Sequence, residues 1–103
     1  MKLLTKEIES MFKKVGYQDG VEDPVVVAKF FTPWTNWTWF ATEYDPESRL
    51  FFGMVHGHEK ELGYFSLDEL ASVKGPFGLG IERDTSFDPN RYNELAKLSE
   101  VAA

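Results

Sequence analysis

A chain of 103 residues, 43% hydrophobic and 27% charged, is long enough for one core and too short for two, which excludes wholesale disorder and a second domain. No cysteine is present, so disulfides and thiolate chemistry are excluded, and the composition fits a reducing cytoplasm. With 17 Asp and Glu against 11 Lys and Arg, the formal charge is -6, which argues against a nucleic-acid surface, where phosphate contacts need basic residues.

No apolar run approaches the ~20 residues of a membrane helix, and Met1-Lys2-Leu3-Leu4 runs at once into charge, without a signal-peptide core. The expectation is a single domain over 1–103, in the cytoplasm and off the membrane. Leu4, Ile8, Met11, Phe12 and Val15 recur at spacings of three and four and predict an amphipathic helix, with Thr5 as N-cap and Gly16 as the stop. Val25 to Thr32 is β-branched and aromatic on both alternating faces, as an inner strand would be.

Asn36 to Tyr44 and Arg49 to His56 flank Asp45-Pro46-Glu47-Ser48 and predict a hairpin. A loop of two or four residues makes partners sum to 93. Trp37–His56, Trp39–Met54, Ala41–Phe52 and Glu43–Leu50 would then share one face. Thr38–Val55, Phe40–Gly53, Thr42–Phe51 and Tyr44–Arg49 would share the other. A three-residue loop would change the parity of every pair. Glu61 to Phe65 reads as a short strand, and Ser66 with Glu69 as a capping box opening a helix that Lys74 and Gly75 end. From about residue 76 a closing arm follows, with a possible edge strand at Ile81-Glu82-Arg83. A helix from Asp88-Pro89 to about Ser99 comes next, its Ala-rich end frayed.

His56-Gly57-His58, with Glu59 and Glu61, has the spacing of a metal or acid/base site, but zinc wants three or four ligands and no third histidine exists. A turn at Gly57 would make the two imidazoles diverge, leaving His58 solvated and His56 packed on Trp37. Asn36-Trp37-Thr38 fits a glycosylation triplet but has no secretion signal behind it, and phosphate-loop, dinucleotide and nucleophile-elbow patterns are absent. The clearer signal is Trp34, Trp37 and Trp39 within six residues. Such a cluster is core, or a recognition surface of the kind in which Trp and Tyr form hot spots. The candidate binding residues are therefore Trp34, Trp37, Trp39, Glu43 and His56, with no catalytic residue and no metal or other cofactor assigned.

DPVVVAKFFTP, NWTWFATEYDP, RLFFGMV, ELGYFSLDEL and GPFGLGIERD, in this order and spacing, resemble the bacterial domain-of-unknown-function family 2958 (DUF2958), over about Leu3 to Phe87. The resemblance implies a small stand-alone protein carried by plasmids, phages and other mobile elements. It carries over no catalytic residues, and the family's pattern does not require histidine at 56 and 58. Gly80 stands where the family often has proline, which implies a looser loop before Ile81. The expected fold is α+β: an antiparallel meander of three to five strands packed by the N-terminal helix, with a short helix after the sheet and a C-terminal helix. The expected function is a non-catalytic module that binds another protein, as an accessory or anti-defence factor of a mobile element, with room for a homodimer. The alternative is a small metal-dependent or acid/base enzyme built on His56, His58, Glu59 and Glu61. A last expectation is that one sheet face, or the rim near Trp34, stays accessible unless Phe77, Leu79 and Phe87 fold back over it.

Overall fold

A computed structural model gives the structure of the protein over residues 1–87 and 95–103. The predicted first helix is α1 (Lys6–Val15). Thr5 Oγ1 accepts the Ile8 amide at 3.2 Å, and Gly16, at φ 75°, donates its amide to the Phe12 carbonyl at 2.8 Å. Both cap residues thus satisfy backbone groups that a helix end leaves without partners. Ile8, Met11 and Phe12 form the buried stripe.

Among the described residues five strands follow: β1 (Ala28–Phe31), β2 (Thr38–Asp45), β3 (Leu50–His56), β4 (Lys60–Ser66) and β5 (Glu82–Arg83). They make one antiparallel sheet in the order β4-β3-β2-β1-β5. The fold is therefore α+β, a four-strand meander with the short edge strand added beside β1. A salt bridge of 3.5 Å between Lys29 and Asp84 holds that edge, together with the Asp84 amide donating to the Lys29 carbonyl. The first strand is shorter than the expected 25–32. Val26 and Val27 are buried but outside the ladder, and Val25 bridges Lys97 instead.

The hairpin register differs from the expected one. Near the turn the loop is Pro46 to Arg49, with Asp45 opposite Leu50 and Tyr44 opposite Phe51. Arg49, at φ 59°, takes the left-handed position and donates its amide to the Asp45 carbonyl. Between Ala41 and Glu43 the register shifts, and beyond it Ala41 faces Gly53, Phe40 faces Met54 and Trp39 faces Val55. Thr42 is the extra residue of a β-bulge. One added residue reverses the face of all that lies beyond it, so Trp39 and Met54 lie on opposite faces, and Thr38, not Trp37, pairs with His56. At the bulge the strands come close: a Cβ on Gly53 would collide with the Phe40 carbonyl.

One face carries Ala28, Phe30, Ala41, Tyr44, Phe51 and Phe65, and α1 closes over it with Leu67 and Leu70 of α2 (Leu67–Ser72) and Ile81 of the arm. Phe51 is fully buried, with the rings of Phe12, Phe30, Tyr44 and Phe65 between 4.8 and 5.7 Å from its own. The other face has a smaller cluster, in which Leu98 and Ala102 cover Val26 and Phe40. Leu98 belongs to α3 (Leu98–Val101). The expected helix over 88–99 is not what residues 95–99 show: Leu95 to Lys97 are not helical, and Ala102 is buried rather than frayed. The proposed helix start at Asp88-Pro89 lies outside the described residues.

The second helix ends at Ser72, short of Lys74. Gly75 does not cap it. The Trp34 indole lies against Gly75 where a side chain would stand, and this explains the glycine. Pro76–Gly78 forms a single 3₁₀ turn that leaves Phe77 fully exposed in a left-handed conformation, so Phe77 seals nothing.

Ser66 caps α2, its Oγ accepting the Glu69 amide at 3.2 Å. Ser66→Ala is expected to lower stability by about 1 kcal/mol. Urea denaturation checks this, and an unchanged midpoint would show that the cap contributes nothing.

Candidate functional site

The loop from Tyr17 to Pro24 is anchored by one buried side chain. Gln18 Nε2 donates to the carbonyls of Val25 at 2.9 Å and Thr42 at 2.7 Å, and Oε1 accepts the Val25 amide at 2.8 Å. The backbone amide of Gln18 donates to Glu43 Oε2 at 3.0 Å. A second anchor is Asp23, whose carboxylate accepts the backbone amide of Ser99 at 3.1 Å and its hydroxyl at 2.7 Å. These bonds fix the loop and α3 beside the sheet, and together they form one wall of a groove.

The floor of that groove is the sheet face opposite α1. Phe52 and Met54 of β3 are half-buried there, while Leu62 and Tyr64 of β4 are 62% and 73% exposed. Tyr64 meets Phe52 edge to face at 5.0 Å between ring centres. A cavity of about 600 Å³ lies between this floor and the 18–24 loop, and a second of about 650 Å³ continues it toward Tyr17 and Asp45. Asp19, Glu43 and Phe52 line both. Asp19, Glu22, Asp23, Glu43 and Asp45 stand around the groove, with Lys60 as the cation on its far side.

Three of these carboxylates are already engaged. Glu43 holds the Gln18 amide. Asp45 accepts the Ser48 hydroxyl and then the Glu47 amide inside the hairpin turn, and these bonds hold its carboxyl below the usual range. The Ser99 hydroxyl, then the Ser99 amide, lower Asp23 in the same way, with Lys97 adding a smaller pull and partial desolvation opposing. Asp19 and Glu22 form no hydrogen bond or ion pair with another described residue, so their charge faces solvent and whatever enters the groove.

The residues expected from sequence divide between the two faces. Trp37 and Trp39 do come together, with ring centres 6.0 Å apart, on the α1 side. Trp39 is half-buried against the main core and Trp37 is 36% exposed over Gly57. Trp34 is half-buried on Gly75, away from that pair. Glu43 and His56 lie on the opposite face, with Phe52 and with Thr38 and Lys60 respectively. His58, not His56, packs on Trp37, edge to face at 5.7 Å. The two histidines therefore diverge across the sheet. Among the described residues no three His, Cys, Asp or Glu side chains are placed to hold a metal ion. Nor does any described helix have the length and hydropathy to cross a membrane.

Sequence reasoning missed Leu62, Tyr64 and the Gln18 anchor. The alternation Lys60-Leu62-Tyr64 was the available signal for the first two: on an edge strand, one apolar face without a cover.

Over residues 3–102 the chain matches the model of the family described as Protein of unknown function (DUF2958), and it belongs to that family. No curated protein and no solved structure matches it.

Asp23 titrates below its ordinary value in the folded protein, so its clamp on α3 is intact above the unfolded pKa of about 3.9 and is lost as pH falls through the lower folded value. The protection factor of the Ser99 amide is expected to fall over that acidic window and, in Asp23→Ala, to be low already at neutral pH. Equal protection in wild type and variant at neutral pH would show that the clamp is not formed.

Proposed function

We propose that this member of the DUF2958 family is a non-catalytic protein-interaction module that takes its partner on the open β2-β3-β4 face. One observation supports the reading: Leu62 and Tyr64 are exposed together beside Phe52 and Met54. Contiguous exposed apolar area on a small domain marks a contact surface, and tyrosine is among the residues that dominate binding energy. The acidic wall of Asp19 and Glu22 sets the partner's character, since complementary charge speeds encounter and excludes wrong partners. The preferred partner is thus a protein with a basic, apolar-tipped segment rather than nucleic acid.

Chemistry gains less support from the geometry. Glu43, Asp45 and Asp23 serve the loop, the turn and α3, and His56 and His58 do not converge. The setting we propose is the cytoplasm of a bacterium, where the protein acts as an accessory or anti-defence factor of a phage or plasmid. Small size, acidity and the family resemblance motivate that part of the reading.

Affinity capture from a bacterial lysate tests the surface when wild type is run beside Tyr64→Ala, Glu22→Lys and Trp37→Ala. Tyr64→Ala is expected to cost about 2 kcal/mol of binding, and Glu22→Lys to weaken it in a salt-dependent way, with Trp37→Ala neutral. Retention by Tyr64→Ala with loss in Trp37→Ala would move the site to the tryptophan rim and overturn this reading.

A further inference from the structure

We infer that β4 pairs with β4 of a second copy, joining two sheets into one across a two-fold axis at Gly63. The inference stands apart from the partner reading above and starts from the backbone. Gly57 donates its amide to the Glu59 carbonyl, and Leu67 donates to the Arg49 carbonyl, at the two ends of the β3–β4 ladder. Both bonds fit the same register as the strand pairs between them, so the bonded pairs are Val55–Glu61, Gly53–Gly63 and Phe51–Phe65. The N–H and C=O groups of Lys60, Leu62 and Tyr64 consequently point away from β3. No described strand takes them, because β4 is the end of the sheet.

Edge strands are usually blunted by shortness, proline, a bulge or a cover. The opposite edge obeys this: β5 is two residues long. By contrast β4 has seven residues in unbroken register, no proline, and charge only at Lys60 and Glu61. No hydrogen bond from another described residue reaches the backbone of its outer side.

Its pattern suits its own copy. An antiparallel two-fold through Gly63, the central residue of the strand, sets Leu62 opposite Tyr64 of the second copy and Tyr64 opposite Leu62. All four carry outward-pointing backbone groups, so each pair exchanges both hydrogen bonds. The glycines meet on the axis as a non-bonded pair, where strands approach most closely, and a Cβ at Gly63 would have only open space around it. Glu61 faces Phe65 of the second copy rather than a like charge. Lys60 faces Ser66, the residue ahead of Asp68 and Glu69, so the basic start of each strand lies beside the acidic helix start of the other. Leu62 and Tyr64 of both copies then form a continuous apolar row on the open face, and the interface is isologous, as a closed dimer requires.

Sedimentation equilibrium of the purified full chain tests this without any partner. A concentration-dependent monomer–dimer equilibrium is expected. Leu62→Pro removes an outward donor and the leucine side chain while sparing the bonds to β3, and Tyr64→Lys puts a charge into the seam, and each is expected to weaken the dimer by about tenfold or more. Circular dichroism confirms that the variants are folded, and Tyr64→Lys, an exposed side-chain change, carries the test if the proline variant is not. A wild type that stays monomeric up to roughly millimolar concentration, or a dimer equally tight in the folded variants, would overturn the inference. A monomer would leave the partner-binding reading standing, since that reading rests on the face and not on the edge.

Discussion

Gln18 lies in a loop yet is buried, and both ends of its side-chain amide are bound: Nε2 to the carbonyls of Val25 and Thr42, Oε1 to the amide of Val25. Thr42 is the extra residue of the β2 bulge, so its carbonyl has lost its place in the ladder while remaining in the interior. A buried carbonyl needs a partner. Gln18 supplies it, and the Thr42 hydroxyl donates to the Phe52 carbonyl across the hairpin at 3.1 Å. The bulge in turn decides which aromatic rings enter the main core. With it, Tyr44 and Phe51 face α1 at one end of the hairpin, and Trp39 and Val55 face the same side at the other. Without it, the same strands would turn Trp39 to the side of Met54 and Phe52.

Much of the architecture was legible in the sequence because it rests on short-range rules. The spacing of Ile8, Met11 and Phe12, the Thr5 and Ser66 caps and the Gly16 stop depend only on neighbours a turn away. The hairpin register did not, because parity there depends on a bulge fixed by a glutamine 24 residues distant in the chain. Gly75 stands where a helix cap would, yet its role is to admit the Trp34 ring, a contact no local pattern announces. The two histidines were separable in principle: a turn at Gly57 makes their side chains diverge, but which of them meets Trp37 follows from the face each inherits from the bulge.

The sheet is covered unequally, and this is where function enters. The α1 face has α1, α2 and the arm over it, whereas the described cover on the other face is α3, with Phe87 folding back beside it at the Val26–Phe40 corner. Met54 packs at the edge of that cluster, and Phe52, Leu62 and Tyr64 extend the face beyond it. The loop beside them carries Asp19 and Glu22, and that loop is held by the same Gln18 amide that satisfies the bulge. The fold and its candidate surface therefore share one anchor. The tryptophans, the most conspicuous feature of the chain, divide their area between the core and a partly exposed rim.

The most direct test of this account is the stability of Gln18→Leu, which preserves the size of the side chain and removes its hydrogen bonds. Thr42 would then hold a buried carbonyl without a partner, and Val25 a part-buried amide and carbonyl, with a fully buried group costing about 1–3 kcal/mol. The account predicts a loss of about 3 kcal/mol or more in chemical denaturation. A midpoint equal to or above that of the wild type would contradict it, and would mean that the bulge holds its register without Gln18.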